Sequence, residues 1–207
     1  MPILFLNFAY CYLEYYRMKY LKPLIFTLVL LFAFSISIDA QQHLKFMGIP
    51  LTGTIDNFQA KLAQKGIKKN FKLSQSLPLG GRAFNGYFTG RYCTIFIYYN
   101  VKSKIVYRAK VVYENTEESV VDRYLESIES SLKIKYNNSD IEYSTSPSGY
   151  QIMHILIIDN TNSKYKYSGE IDCVKEKGYY VSNYQVHIDY LDLKNSRNSD
   201  SSNMDDL

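Results

Sequence analysis

The chain has 207 residues, of which 46% are hydrophobic, 21% charged and 15% aromatic; this is the composition of a folding chain, not of a disordered or collagenous one. Its 24 Lys and Arg against 20 Asp and Glu give a formal charge of +4, too mild a basic excess for a nucleic-acid protein. Three cysteines exclude a disulfide scaffold, and three histidines leave little material for metal sites.

The first 40 residues differ in kind from the rest. Leu24 to Ile38 reads LIFTLVLLFAFSISI, fifteen residues without a charge, with Arg17, Lys19 and Lys22 ahead of it and Ala40 behind. A basic segment, an apolar segment and a small residue before a polar start predict a secretory signal cleaved after Ala40. Fifteen residues fall short of the ~20 that cross a hydrocarbon core, so no stable membrane span is expected after cleavage. A normal signal would open at Met18, and residues 1–17 read as an early start. Cys11 lies ahead of the apolar segment, which speaks against a lipid anchor. Losing Glu14, Arg17, Lys19, Lys22 and Asp39 with the leader leaves +3 on the mature chain. Export leads either to the periplasm or to the cell exterior.

In the mature chain, Thr54 reads as the N-cap of a helix over 55–65, with Ile55, Phe58 and Leu62 on one face and Gly66 as its stop. A strand is expected over Asn70 to Ser76, a turn at Leu77 to Gly81 and a bent strand from Arg82 to Arg91. Cys93 to Tyr99 and Ile105 to Glu114 are the clearest strands, rich in β-branched and aromatic residues. Asn115 with Glu118 resembles a capping box. The helix behind it carries a stripe of Val121, Leu125, Ile128 and Leu132. Strands follow at 141–144, 150–159, 165–174 and 179–193. The third-last residue run, 150–159, is apolar on both faces and predicts a strand buried on both sides or central in its sheet. Residues 195–207 are polar and read as a disordered tail.

The order is one helix and four strands, twice. It predicts an α+β fold: a tandem repeat of about 41–114 and 115–194 within a single domain over 41–194, its helices on one face of an antiparallel sheet. The start HLKFMGIPLTGTIDNFQAKLAQKG resembles the opening of uncharacterised secreted proteins from Gram-negative anaerobes, and FNGYFTGRYCTIFIYY resembles their second strand pair. The doubled helix-plus-four-strand order is similar to the fold of beta-lactamase inhibitor proteins. The resemblance implies no catalytic residues, and it does not transfer that family's partner, because fold does not set function.

Catalytic signals are weak. There is no G-x-S-x-G, neither mature cysteine has a histidine nearby in sequence, and Gly80, Gly81 and Gly86 form no phosphate loop. His187 shares a strand face with Gln185 and Asp189, either as an acid/base pair or, by plain alternation, as the polar side of a half-buried strand; the second reading is preferred. Glu114, Glu117 and Glu118 favour the positive end of the second helix. Cys93 and Cys173 are either a disulfide permitted by export or two buried thiols.

Tyrosine is the unusual feature. The chain has 21, of which five precede residue 41, and no tryptophan. Alternation sets Thr94, Phe96 and Tyr98 against Cys93, Ile95, Ile97 and Tyr99, and sets Val106, Arg108 and Lys110 against Ile105, Tyr107, Ala109 and Val111. Phe96, Tyr98, Arg108 and Lys110 are therefore the candidate binding residues, an aromatic-basic patch on the wetter face of an open sheet. The expected function is a secreted, non-catalytic module that binds a protein or glycan through this face, with no cofactor. The alternative is a cell-envelope accessory or structural protein without a discrete ligand.

Overall fold

A computed structural model describes residues 43–160, 164–178 and 183–204. The leader, its cleavage site and residues 179–182 lie outside the described residues. The chain opens with a two-strand clasp, β1 (Lys45–Phe46) and β2 (Ile49–Pro50), and helix α1 (Ile55–Gln64). Then come β3 (Lys68–Lys69), the short helix α2 (Phe71–Gln75), β4 (Gly81–Phe88), β5 (Arg91–Tyr99) and β6 (Val106–Asn115). Helix α3 (Glu118–Lys135) leads to β7 (Asp140–Thr145), β8 (Gln151–Ile158), β9 (Tyr167–Lys177), β10 (Tyr184–Asp192) and helix α4 (Leu193–Met204). Eight strands form one antiparallel sheet in the order β3-β4-β5-β6-β10-β9-β8-β7. The fold class is α+β.

Strand pairing turns sequence alternation into two unlike faces. Ile95, Val111, Ile188, Cys173 and Met153 stand side by side across five strands, and all five are buried. Against this face pack Ile55, Phe58 and Leu62 of α1, with Val121, Tyr124, Ile128 and Leu132 of α3. Leu44, Phe46, Ile49 and Leu51 close the core, Phe46 stacking on Phe88 at 5.5 Å and meeting Tyr190 edge-on at 5.3 Å. Burying each such large side chain contributes about 1.5–3 kcal/mol. Helix α1 begins where expected: Thr54 accepts a hydrogen bond from the Asn57 amide, and Gly66 ends the turn at φ 79°.

Several local expectations are corrected. The stretch from Asn70 to Ser76 holds helix α2 (Phe71–Gln75), not a strand, because Asn70 Oδ1 accepts from the Leu73 amide at 2.9 Å and caps it. Only Lys68 and Lys69 join the sheet there. Arg82 to Arg91 is a hairpin, not one bent strand: Thr89 and Gly90, both at positive φ, turn β4 into β5. Gly86 has a packing role, since a Cβ there would lie 2.4 Å from Ile67 Cδ1 and 3.2 Å from Ile67 Cα. Asn115 Oδ1 accepts from the Glu117 amide, and α3 starts three residues later with no side-chain cap. Its stripe uses Tyr124 where Leu125 was expected; Leu125 is half-buried, while the Tyr124 ring meets Tyr113 edge-on at 4.7 Å.

Two further departures concern the ends of the sheet. β8 is apolar on both sides but is neither buried on both nor central: it lies next to the edge strand β7, with Ile152 and Leu156 half-buried. The segment expected to be a disordered tail opens instead with α4, whose first turn is held by Asp192 Oδ1 accepting from the Asn195 amide at 2.9 Å. Asn195 also donates to the Leu51 carbonyl at 2.7 Å.

Candidate functional site

The second face of the sheet carries the polar partners of the core residues. Phe96, Lys110, Asp189, Asp172, His154 and Glu142 form one register row across it. Tyr98, Arg108, Leu191, Glu170, Leu156 and Asp140 form the next. All are half-buried except Glu142, which is exposed. The helix stripes of α1 and α3 lie with the opposite face. Cationic residues sit on β6, and carboxylates crowd β7, β9 and β10, so the face has a basic and an acidic half.

All four candidate binding residues come together on this face: Phe96 stands opposite Lys110, and Tyr98 opposite Arg108. One neighbour departs. The register between β5 and β6 shifts between Tyr98 and Tyr99, so that Tyr99 pairs with Val106 and Tyr107 is bulged. Val106, expected beside Arg108 and Lys110, therefore turns inward and is fully buried.

Arg108 is more embedded than a patch cation. Its Nε donates to Asp189 Oδ1 at 2.8 Å and its Nη2 to Asp189 Oδ2, a two-pronged pair. Its guanidinium lies 5.3 Å from the Tyr98 ring centre. The Asp189 hydrogen bond raises the Arg108 pKa, and burial raises that of the Tyr98 phenol. Alanine at Arg108 would strand the largely buried Asp189 carboxylate, so Arg108 acts first as structure and only then as a contact. Phe96 and Lys110 are free of that tie.

Two imidazoles share the face. His187 shares this face of β10 with Gln185 and Asp189, as alternation predicted, and its Nε2 bonds Gln185 Oε1 at 2.8 Å. Burial, helped by Lys110, pushes its pKa down to about 4. Its Nδ1 lies 3.4 Å from Glu176, but the ring is neutral above that pH, so the contact is not an ion pair in neutral solution. His154 stands opposite Asp172: its Nδ1 is 2.7 Å from Asp172 Oδ1 and 3.4 Å from Glu170 Oε1, and its Nε2 is 2.7 Å from Ser144 Oγ. Burial and the neighbouring Asp172 raise the Glu170 pKa. Sequence reasoning missed this convergence. Alternation puts Glu170 and Asp172 on one side of β9, but only strand register brings them to His154.

Cys93 and Cys173 are both buried and unbonded. β5 and β9 are three strand spacings apart, roughly 14 Å at 4.7–4.9 Å each, beyond the reach of a disulfide. The possible Cys93–Cys173 bond is thus replaced by two core thiols. Burial pushes the Cys93 pKa up to about 11 and that of Cys173 higher still, which leaves little thiolate for nucleophilic chemistry.

No family model, curated protein or solved structure matches the chain. Among the described residues no helix is long and apolar enough to cross a membrane.

Proposed function

We propose that the protein is a secreted, non-catalytic binding module that holds a protein or glycan against its open sheet face. The observation that carries this reading is the half-exposed row begun by Phe96 and Lys110, with Tyr98 beside it on a sheet whose other face packs the helices. A sheet face bearing rings that are neither buried nor isolated suits recognition, since aromatic rings offer large contact area with little rotamer entropy to lose. The split into basic and acidic halves favours a ligand that presents both donors and acceptors.

We further infer that the chain is a tandem of helix-plus-four-strand repeats, about 41–114 and 115–194, similar in plan to beta-lactamase inhibitor proteins and to the secreted anaerobe proteins. The strand order supports this, because it runs outward from the β6–β10 pair through β5, β4 and β3 on one side and β9, β8 and β7 on the other. In each half a core-packed helix precedes the four strands of the large sheet, and Cys93 on β5 answers to Cys173 on β9.

The test is affinity capture from envelope extract, with the purified protein beside its Phe96→Ala/Lys110→Ala variant. The variant should stay folded, because both residues keep solvent contact and neither belongs to the core cluster. Wild type should retain a specific partner that the folded variant loses by about tenfold or more, the loss of one hot-spot contact. Equal retention by both would refute the face as the site. No specific partner in either arm would favour the envelope structural reading.

A further inference from the structure

We propose that His154, Glu170 and Asp172 form a binding site for a first-row divalent transition-metal ion, Zn2+ being the ion this donor set suits best. The site is separate from the aromatic-basic half of the face and does not depend on what that half binds.

Three neighbouring strands build it. Glu170 and Asp172 are two residues apart on β9 and so point to the same side. His154 on β8 is the register partner of Asp172. The imidazole nitrogen and one oxygen of each carboxylate all lie within 4.8 Å of one another. Ser144 on β7 engages the other ring nitrogen, Nε2, at 2.7 Å. Without an ion Nδ1 is in hydrogen-bond contact with Asp172 Oδ1 at 2.7 Å; with an ion bound, Nε2–H donating to that hydroxyl would leave the Nδ1 lone pair for the metal. Holding the far side of the ring through a hydrogen bond is how proteins orient metal-bound histidines.

Charge points the same way. Among the described residues, no lysine or arginine pairs with Glu170 or Asp172; their ionic partner is His154. The nearby Asp189 is already satisfied by Arg108. Two crowded carboxylates beside one imidazole supply the negative charge and the mixed donors that a divalent cation needs. One nitrogen and two oxygens match the mixed donor sets of Zn2+, which three protein ligands and a water complete. Ca2+ takes six to eight oxygens and Mg2+ keeps most of its waters, so neither is selected by a three-donor site containing imidazole. The three side chains are partly exposed, at 21%, 27% and 37% for His154, Glu170 and Asp172, which leaves access for the ion and its water.

The experiment is calorimetric titration of the chelator-stripped protein with Zn2+ alone, alongside thermal melts. One saturable site is expected, with a melting rise of about 5–10 °C when free Zn2+ stands a hundredfold above its Kd. His154→Gln and Glu170→Gln should each weaken binding tenfold or more. His187→Gln, on the same face but outside the cluster, should leave binding unchanged. Absence of a saturable site, undiminished binding in both folded cluster variants, or equal affinity for Ca2+ and Zn2+ would overturn the assignment.

Discussion

Asp192→Ala is expected to destabilise the fold by about 3–5 kcal/mol, the sum of stranding two backbone donors and losing a charged acceptor. The side chain is fully buried at the end of β10. Oδ2 accepts from the Leu44 amide at 3.1 Å and lies 2.9 Å from His43 Nδ1; Oδ1 accepts from the Asn195 amide at 2.9 Å. One carboxylate thus ties the lead-in of the chain to its last strand and caps α4. Leu44 and Phe46, which the lead-in carries into the core, depend on that tie. Urea titration should show a lowered midpoint with little change in slope, and the melt should fall by about 6–20 °C for a chain of this size. Asp192→Asn keeps one acceptor oxygen and should lose less. A cost under about 1 kcal/mol in the alanine variant, the range of an ordinary surface change, would mean the tie is dispensable.

His187 should make the protein lose stability in mild acid. Its pKa falls from 6.5 in the open chain to about 4 in the fold. Above pH 6.5 both states hold a neutral ring and the residue is silent. As the pH drops from about 6.5 to 4, the unfolded chain takes up a proton that the folded one refuses, and stability falls. The limit is about 3 kcal/mol for a shift of this size, reached only below pH 4. The cause is burial first and Lys110 second; Asp189 on the same strand opposes them, and Glu176 on β9 also faces the ring, 3.4 Å from Nδ1. Urea midpoints between pH 7 and 4.5 should slope downward in wild type and flatten in His187→Gln. An unchanged slope in that variant would assign the acid sensitivity to other groups.

The parts of this fold legible in the sequence are those set by local rules. Thr54 and Gly66 bound α1 because capping and left-handed turns act within a few residues. Alternation sorted Phe96 and Tyr98 from Ile95 and Ile97, since side-chain period in a strand is local too. Failures arose where a distant partner decides. Asn70 caps a helix while its amide Nδ2 donates to Asn85 Oδ1 at 2.7 Å, a contact across fifteen residues. The bulge at Tyr107 reversed Val106, because register belongs to the strand pair. Arg108 read as a free cation until β10 brought Asp189 beside it, and His154 met its carboxylates only through the pairing of β8 with β9.

The reading of the open face as a binding surface is tested most directly by hydroxyl-radical footprinting of the protein with its captured partner. Phe96 and Tyr98, both half-exposed on that face, should become protected, while Ile134, 78% exposed on α3, should keep its reactivity. Protection confined to α3 or to the β7 edge, with Phe96 and Tyr98 unchanged, would contradict it.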